Sequence, residues 1–263
     1  MDIAEEVWTK VRREIAGEAV REPAMRKFFD AQVLRHETLG AALIHVLALK
    51  IGEPETLVPG SLAALMEGFF LGEKGILAVV AQDLAAARAR DPACTQLNQP
   101  LLYFKGFQAL QSHRFAHWLW NTDRNHMARW MQSRCSEVFA VDIHPAAKIG
   151  AGIFIDHATG IVIGETTVIG DNVSILHGVT LGGSGKETGN RHPKIGDGVL
   201  LSAGCAILGN ISVGDGAKVA ACSVVLQDVP SRATVAGIPA RIVGRDASVE
   251  MDQRLRILNE IHQ

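Results

Sequence analysis

From Ile143 to Val229 an aliphatic residue returns every sixth position, and this spacing constrains the chain more than any other feature. Ile143, Ile149, Ile155 and Ile161 form a first run, and Ile163, Ile169, Ile175 and Leu181 a second. Ile195, Leu201, Ile207, Val213, Val219 and Val225 form a third. Two positions before these lie further inward candidates, small or β-branched: Ala147, Thr159, Val173, Val179, Val199, Cys205, Ala217, Ser223 and Val229. A period of six fits neither a helix nor a plain alternating strand. It fits short strands separated by tight turns and wound into a prism. A β-sandwich has no reason to hold one phase through so many steps.

The first 140 residues read differently. Ile3, Val7, Val11 and Ile15 recur every fourth residue, and Leu39, Leu43, Val46 and Leu47 mark a second apolar stripe. Pro23, Pro54, Pro59 and Pro92 punctuate these segments, and Pro100 is expected to open a helix carrying Leu101, Leu102, Phe104 and Phe107. The spacing predicts a bundle of about six to eight helices. At Ala140 helical periodicity stops and Gly and β-branched residues take over. The expected organisation is therefore α+β: a helical domain over 1–140, a repeat domain over 141–245 and a C-terminal tail over 246–263. Met251, Leu255, Leu258 and Ile261 give that tail helical spacing, which leaves both a helix and a mobile segment open.

Charge narrows the partners. With 26 Lys and Arg against 28 Asp and Glu, nothing favours nucleic acid or an anionic membrane, and a small soluble substrate is expected. His45 and Gln82-Asp83 interrupt the most apolar stretches, so no membrane span is expected, and the acidic Asp2, Glu5 and Glu6 do not resemble a secretory leader. Cys94, Cys135, Cys205 and Cys222 form no close pair, which suits reduced thiols and a cytoplasmic location.

In a regular solenoid, chemistry is expected where the repeat breaks. The first break inserts two residues around Asp156-His157-Ala158-Thr159-Gly160. The second, Gly182 to Lys194, is too polar and Gly-rich for a coil and is expected as an extruded loop carrying Arg191 and His192. Imidazole titrates near neutrality, so His157 is the general-base candidate. Three six-residue sides make a coil of about 18, which would set Asp142 roughly one layer below His157, able to hold one imidazole tautomer. Arg191 can grip a carboxylate through two N–H groups. His144 and His177 complete the histidines of the repeat, too scattered for a zinc triad, and His113 and His117 lack a third ligand, so no metal is expected. The aromatic stripe Phe115, Trp118, Trp120 and Trp130 reads as core or subunit packing. Gly182-Gly183-Ser184-Gly185 does not lead into a helix as a phosphate loop should.

Several segments together resemble the serine acetyltransferase family. They are Arg90 to Ala93, Pro100 to Phe107, His117 to Trp120, Val141 to Gly150, Asp156 to Gly160 and Arg191 to Lys194. The hexapeptide repeat by itself would imply only an acyltransferase. The resemblance implies a left-handed parallel β-helix, assembled as trimers that pair through the N-terminal helices into a homohexamer. It implies acetyl transfer from acetyl-CoA to the hydroxyl of L-serine, with feedback inhibition by L-cysteine and a segment after Arg241 that moves to hinder CoA. His157 and Asp142 match the family's catalytic pair, and Asp91, Asp156, Arg191 and His192 the groups that hold the amino acid. For CoA it points to backbone near Gly183, Ala203 and Ala221, with Lys218 and Arg241 toward its phosphates. Family members also dock onto O-acetylserine sulfhydrylase through a terminal isoleucine, whereas this sequence ends Glu260-Ile261-His262-Gln263. The rival readings are acetylation of another small alcohol and a noncatalytic scaffold for the sulfhydrylase.

Overall fold

The computed structural model describes residues 2–185 and 188–245, so the expectations for the tail over 246–263 lie outside the described residues. The helices are α1 (Ile3–Arg21), α2 (Arg26–Phe29), α3 (Leu39–Ile51), α4 (Pro59–Phe70), α5 (Ile76–Arg90), α6 (Asn98–Tyr103), α7 (Lys105–Asn121) and α8 (Asn125–Phe139). The stripes read from the sequence are the buried faces: Val7, Val11 and Ile15 on α1, and Leu39, Leu43, Val46 and Leu47 on α3, are all closed to solvent. Thr38 caps α3 by accepting the Ala41 N–H, and Pro59 supplies the first residue of α4, where a missing N–H costs nothing.

One helix boundary departs from expectation. Pro100 lies inside α6 rather than at its start, and the extended Phe104 (φ −85°, ψ 104°) ends that helix, so Phe107 belongs to α7. The aromatic stripe packs as core: Phe115 is fully buried, and Phe69 lies 6.1 Å from it and 5.8 Å from Trp118 between ring centroids.

The repeat folds into β1 (Val141–Ile143), β2 (Lys148–Ile149), β3 (Phe154–Ile155), β4 (Ile161–Ile163), β5 (Val168–Ile169), β6 (Ser174–Ile175), β7 (Thr180–Gly182) and β8 (Lys194–Ile195). There follow β9 (Leu200–Leu201), β10 (Ala206–Leu208), β11 (Ser212–Val213), β12 (Lys218–Val219), β13 (Val224–Val225), β14 (Ala233–Gly237) and β15 (Ala240–Arg245). They stack as three parallel faces: β1-β4-β7-β10-β13, β2-β5-β8-β11, and β3-β6-β9-β12-β14, the last extended by antiparallel β15. This is a parallel β-helix of about five turns. From Ile155 to Val225 every six-residue position is buried, because each short strand turns one side chain into the prism.

At one inward position the expectation fails. Thr159 is exposed and Ala158 is buried instead, since the inserted residues re-aim the turn. The insertion also lengthens the first coil, so that Val141 pairs with Ile161 and Asp142 with Val162. Asp142 thus stands beneath Val162, not beneath His157.

The helices are fastened to the first coils by buried polar groups. Asp83 on α5, fully buried, accepts from Arg114 Nη2 at 2.8 Å, from Gln111 Nε2 at 2.9 Å and from the Ile153 N–H at 2.9 Å. Arg114 continues to the carbonyls of Ile149 and Gly150 at 3.2 and 2.7 Å. A charge removed from water this completely is sustained only when its partners are all in place. Near that clamp, α7 meets β3 so closely that a Cβ on Gly106 would lie 2.3 Å from the Ile155 carbonyl oxygen. The N-terminus of α7 is therefore seated against the strand that delivers Asp156 and His157.

Candidate active site

Strand β3 ends in a turn whose backbone is unusual. His157 and Ala158 both have positive φ, 55° and 60°, a conformation that costs non-glycine residues energy and is kept where surrounding structure demands it. The Ala158 N–H donates to the Asp156 carbonyl at 2.6 Å, and the Thr159 N–H to the His157 carbonyl at 2.7 Å. The result turns the imidazole outward, 75% exposed, with Nε2 3.7 Å from Asp156 Oδ2.

Here the helices and the prism enclose a cleft of about 500 Å³, lined among others by Asp91, Lys105, Asp156 and His157. Asp91 caps the C-terminus of α5, and its Oδ1 accepts the Ala93 N–H at 2.8 Å. Two carboxylates and an imidazole on one cleft can take an ammonium group and a proton from a neighbouring hydroxyl. Lys105, the first residue of α7, bonds through Nζ to Thr159 Oγ1 and so braces the turn that carries His157. A lysine within the segment Pro100 to Phe107 carries no separate sequence signal of this role.

Directly above His157 the same corner repeats in each coil. The Gly178 N–H donates to the Thr159 carbonyl, the Gly204 N–H to that of His177, and the Cys222 N–H to that of Ala203. His157 and His177 stack edge to face, centroids 5.9 Å apart, and Ala203 and Ala221 continue the column. Lys218 lies on β12, on the face that leads into this corner, and Arg241 on the antiparallel β15 that closes the same face.

Arg191 and His192 lie elsewhere. They pack on Glu165-Thr166 in the turn after β4, whereas His157 lies in the turn before it, so the two groups occupy opposite corners of one face. Gly183 belongs to this second group, its α-carbon facing Arg191. Arg191 Nη2 donates to Glu165 Oε2 at 2.8 Å and Nη1 to the Gly189 carbonyl at 3.2 Å, and the guanidinium holds the Glu165 carboxyl below its usual range. His192 is 7% exposed and rests on Gly164, where an added Cβ would fall 2.1 Å from the ring. Burial, followed by the charge of Arg191, pulls its imidazole below the ordinary value.

Asp142 does not meet His157 within the chain. Its Oδ1 accepts from Gln132 Nε2 of α8 at 2.7 Å, and no hydrogen bond or ion pair among the described residues joins it to the imidazole. His113 and His117 do not converge on a metal either: His117 Nδ1 bonds to the Pro145 carbonyl at 2.7 Å, and no group of three metal-binding side chains occurs among the described residues. The four cysteines are free thiols, Cys222 exposed and the rest buried. No helix among the described residues is long and apolar enough to cross a membrane.

Comparison with known proteins identifies the family. Residues 7–112 match the family described as "Serine acetyltransferase, N-terminal", and residues 192–227 match "Bacterial transferase hexapeptide (six repeats)". A serine acetyltransferase from Salmonella typhimurium is 50% identical, the match covering 97% of this chain and 94% of the relative. Serine acetyltransferase from Brucella abortus, solved in complex with coenzyme A, superposes with a TM-score of 0.90 at 46% identity, covering 92% of this chain and 97% of the other. A serine acetyltransferase solved in complex with cysteine gives a TM-score of 0.90 at 50% identity, covering 93% and 95%. With half of its residues identical over nearly the full length of both proteins, and the same β-helix beneath a helical cap, this chain belongs to the serine acetyltransferase family of acyltransferases.

Proposed function

We propose that the protein transfers the acetyl group of acetyl-CoA directly to the hydroxyl of L-serine, with no acyl-enzyme. The observation that carries this reading is the convergence of Asp91, Asp156 and His157 on one cleft. His157 takes the hydroxyl proton as the serine oxygen attacks the thioester carbonyl. The tetrahedral intermediate then expels the CoA thiolate, which recovers a proton from the imidazolium. A backbone N–H of the coils stabilises the oxyanion. Asp91 and Asp156 bind the substrate ammonium, Arg191 and His192 its carboxylate, and CoA lies along the column of Ala203 and Ala221. Gly183 adds backbone beside Arg191, and Lys218 and Arg241 serve the phosphates.

One chain does not complete this constellation. The cleft and the Arg191–His192 pair occupy opposite corners of one face, so a complete site takes one corner from each of two neighbouring prisms. A trimer supplies that arrangement, and pairing of trimers through the N-terminal helices would make the hexamer. Asp142, which does not meet His157 within one chain, would support the base across the junction between prisms, with Gln132 orienting its carboxylate.

The test mixes purified protein and acetyl-CoA with serine, homoserine, threonine or a galactoside and follows release of the CoA thiol. Release with serine is expected, and release with the galactoside but not with serine would overturn the reading. A second measurement probes the carboxylate grip. Gly164→Ala forces the His192 ring from its seat, and losing one hydrogen bond to a charged carboxylate should raise the serine KM by about tenfold or more. An unchanged KM would remove His192 from the substrate site.

A further inference from the structure

Thr166 is the hub on which Arg191 and His192 are built. Its Oγ1 accepts the backbone N–H of Arg191 and that of His192, each at 3.0 Å, and lies 3.0 Å from His192 Nδ1. Its own N–H donates to the same Nδ1 at 3.1 Å. Its carbonyl accepts from Lys194 Nζ at 2.6 Å, and that ammonium also reaches the His192 carbonyl at 2.8 Å. A hydroxyl has two acceptor sites and one proton. With both acceptor sites taken by N–H groups, the proton points at Nδ1.

Nδ1 of His192 therefore receives two donors, one a backbone N–H that can play no other part. A nitrogen so engaged is unprotonated, and the neutral ring must carry its proton on Nε2. We propose that Thr166 is a positioning residue that locks His192 as a neutral imidazole whose Nε2–H is presented to the substrate carboxylate. This deepens the reading of Arg191 and His192 as the carboxylate grip and rests on it. The lock also divides labour between two histidines. Protonating Nδ1 would set an N–H against two donors, so His192 is a fixed donor and a poor proton acceptor, while His157, exposed and with no such donor among the described residues, is left to act as the base.

The surroundings favour the neutral ring. Among the described residues, the charged or titratable groups that face it are Arg191, Lys194, Glu165 and His144, and of these only Glu165 favours a charged imidazole. Glu165 is itself engaged by Arg191. A neutral donor suits the task, because Arg191 already supplies the positive charge and the imidazole adds direction.

The experiment uses the whole protein labelled with ¹⁵N-histidine. In the wild type, His192 is expected to show a bare Nδ1 and a protonated Nε2, and to keep that pattern to lower pH than an ordinary histidine. Thr166→Val keeps the shape and the backbone N–H but removes the hydroxyl. It should loosen that pattern and raise the serine KM by about tenfold, with a smaller effect on kcat. Thr166→Ser should restore both. A proton on Nδ1 of the wild type, a Thr166→Val enzyme with wild-type KM and tautomer, or a Thr166→Ser enzyme as impaired as the valine variant would each overturn the proposal. Failure of the functional reading is distinguishable, since the tautomer is measured without substrate. A protein with the expected His192 pattern but no activity on serine would refute the substrate and leave the lock standing.

Discussion

His157→Ala is expected to lower turnover by roughly 10²- to 10⁴-fold, the usual worth of a positioned base, while acetyl-CoA binding stays close to wild type. The cause is local. The imidazole projects from a turn held by two consecutive positive-φ residues, by the Lys105–Thr159 contact and by the close seat of α7 on β3, so its removal disturbs no core packing. Sedimentation and CoA calorimetry on the variant separate lost chemistry from lost assembly. Near-normal turnover in a correctly assembled variant would take His157 out of the mechanism. Asp142→Asn should slow the reaction less, because the base remains and only its orientation and charge support are lost.

Much of the architecture could be read before any coordinates, and the reason is geometric. A six-residue period is the length of one side of the prism, so Ile155, Ile161, Ile163 and their successors announce the inward face directly. The break at His157 was legible for the same reason, as a phase slip in an otherwise constant spacing. What it does to the backbone was not. Two extra residues shift the stacking, so Ala158 replaces Thr159 inside and Asp142 comes to lie under Val162, where arithmetic based on a uniform coil placed it near His157. Lys105, Gln132 and Thr166 were illegible for another reason. Each acts through the atom it bonds, and a hydroxyl that binds two backbone N–H groups and an imidazole looks like any other turn threonine in a sequence.

Arg191→Ala should raise the serine KM and the cysteine inhibition constant together, each by roughly 10- to 150-fold. That range is what one lost charge-assisted grip of about 1.5 to 3 kcal/mol gives. Cysteine differs from serine only in sulfur for oxygen, so a pocket that holds one by its ammonium and carboxylate offers the other the same contacts. The structure adds a complication and a control. Arg191 is already paired with Glu165 at 2.8 Å, so the alanine variant both loses a cation and releases a carboxylate beside the incoming one. Repulsion between them would add to the loss, and Arg191→Ala combined with Glu165→Gln removes that part and should recover some affinity for both ligands. Glu165→Gln alone, with the guanidinium freed, should weaken neither much. If Arg191→Ala abolished serine use but left cysteine binding at wild-type strength by calorimetry, cysteine would need a separate site, and a single pocket shared by substrate and inhibitor would have to be given up.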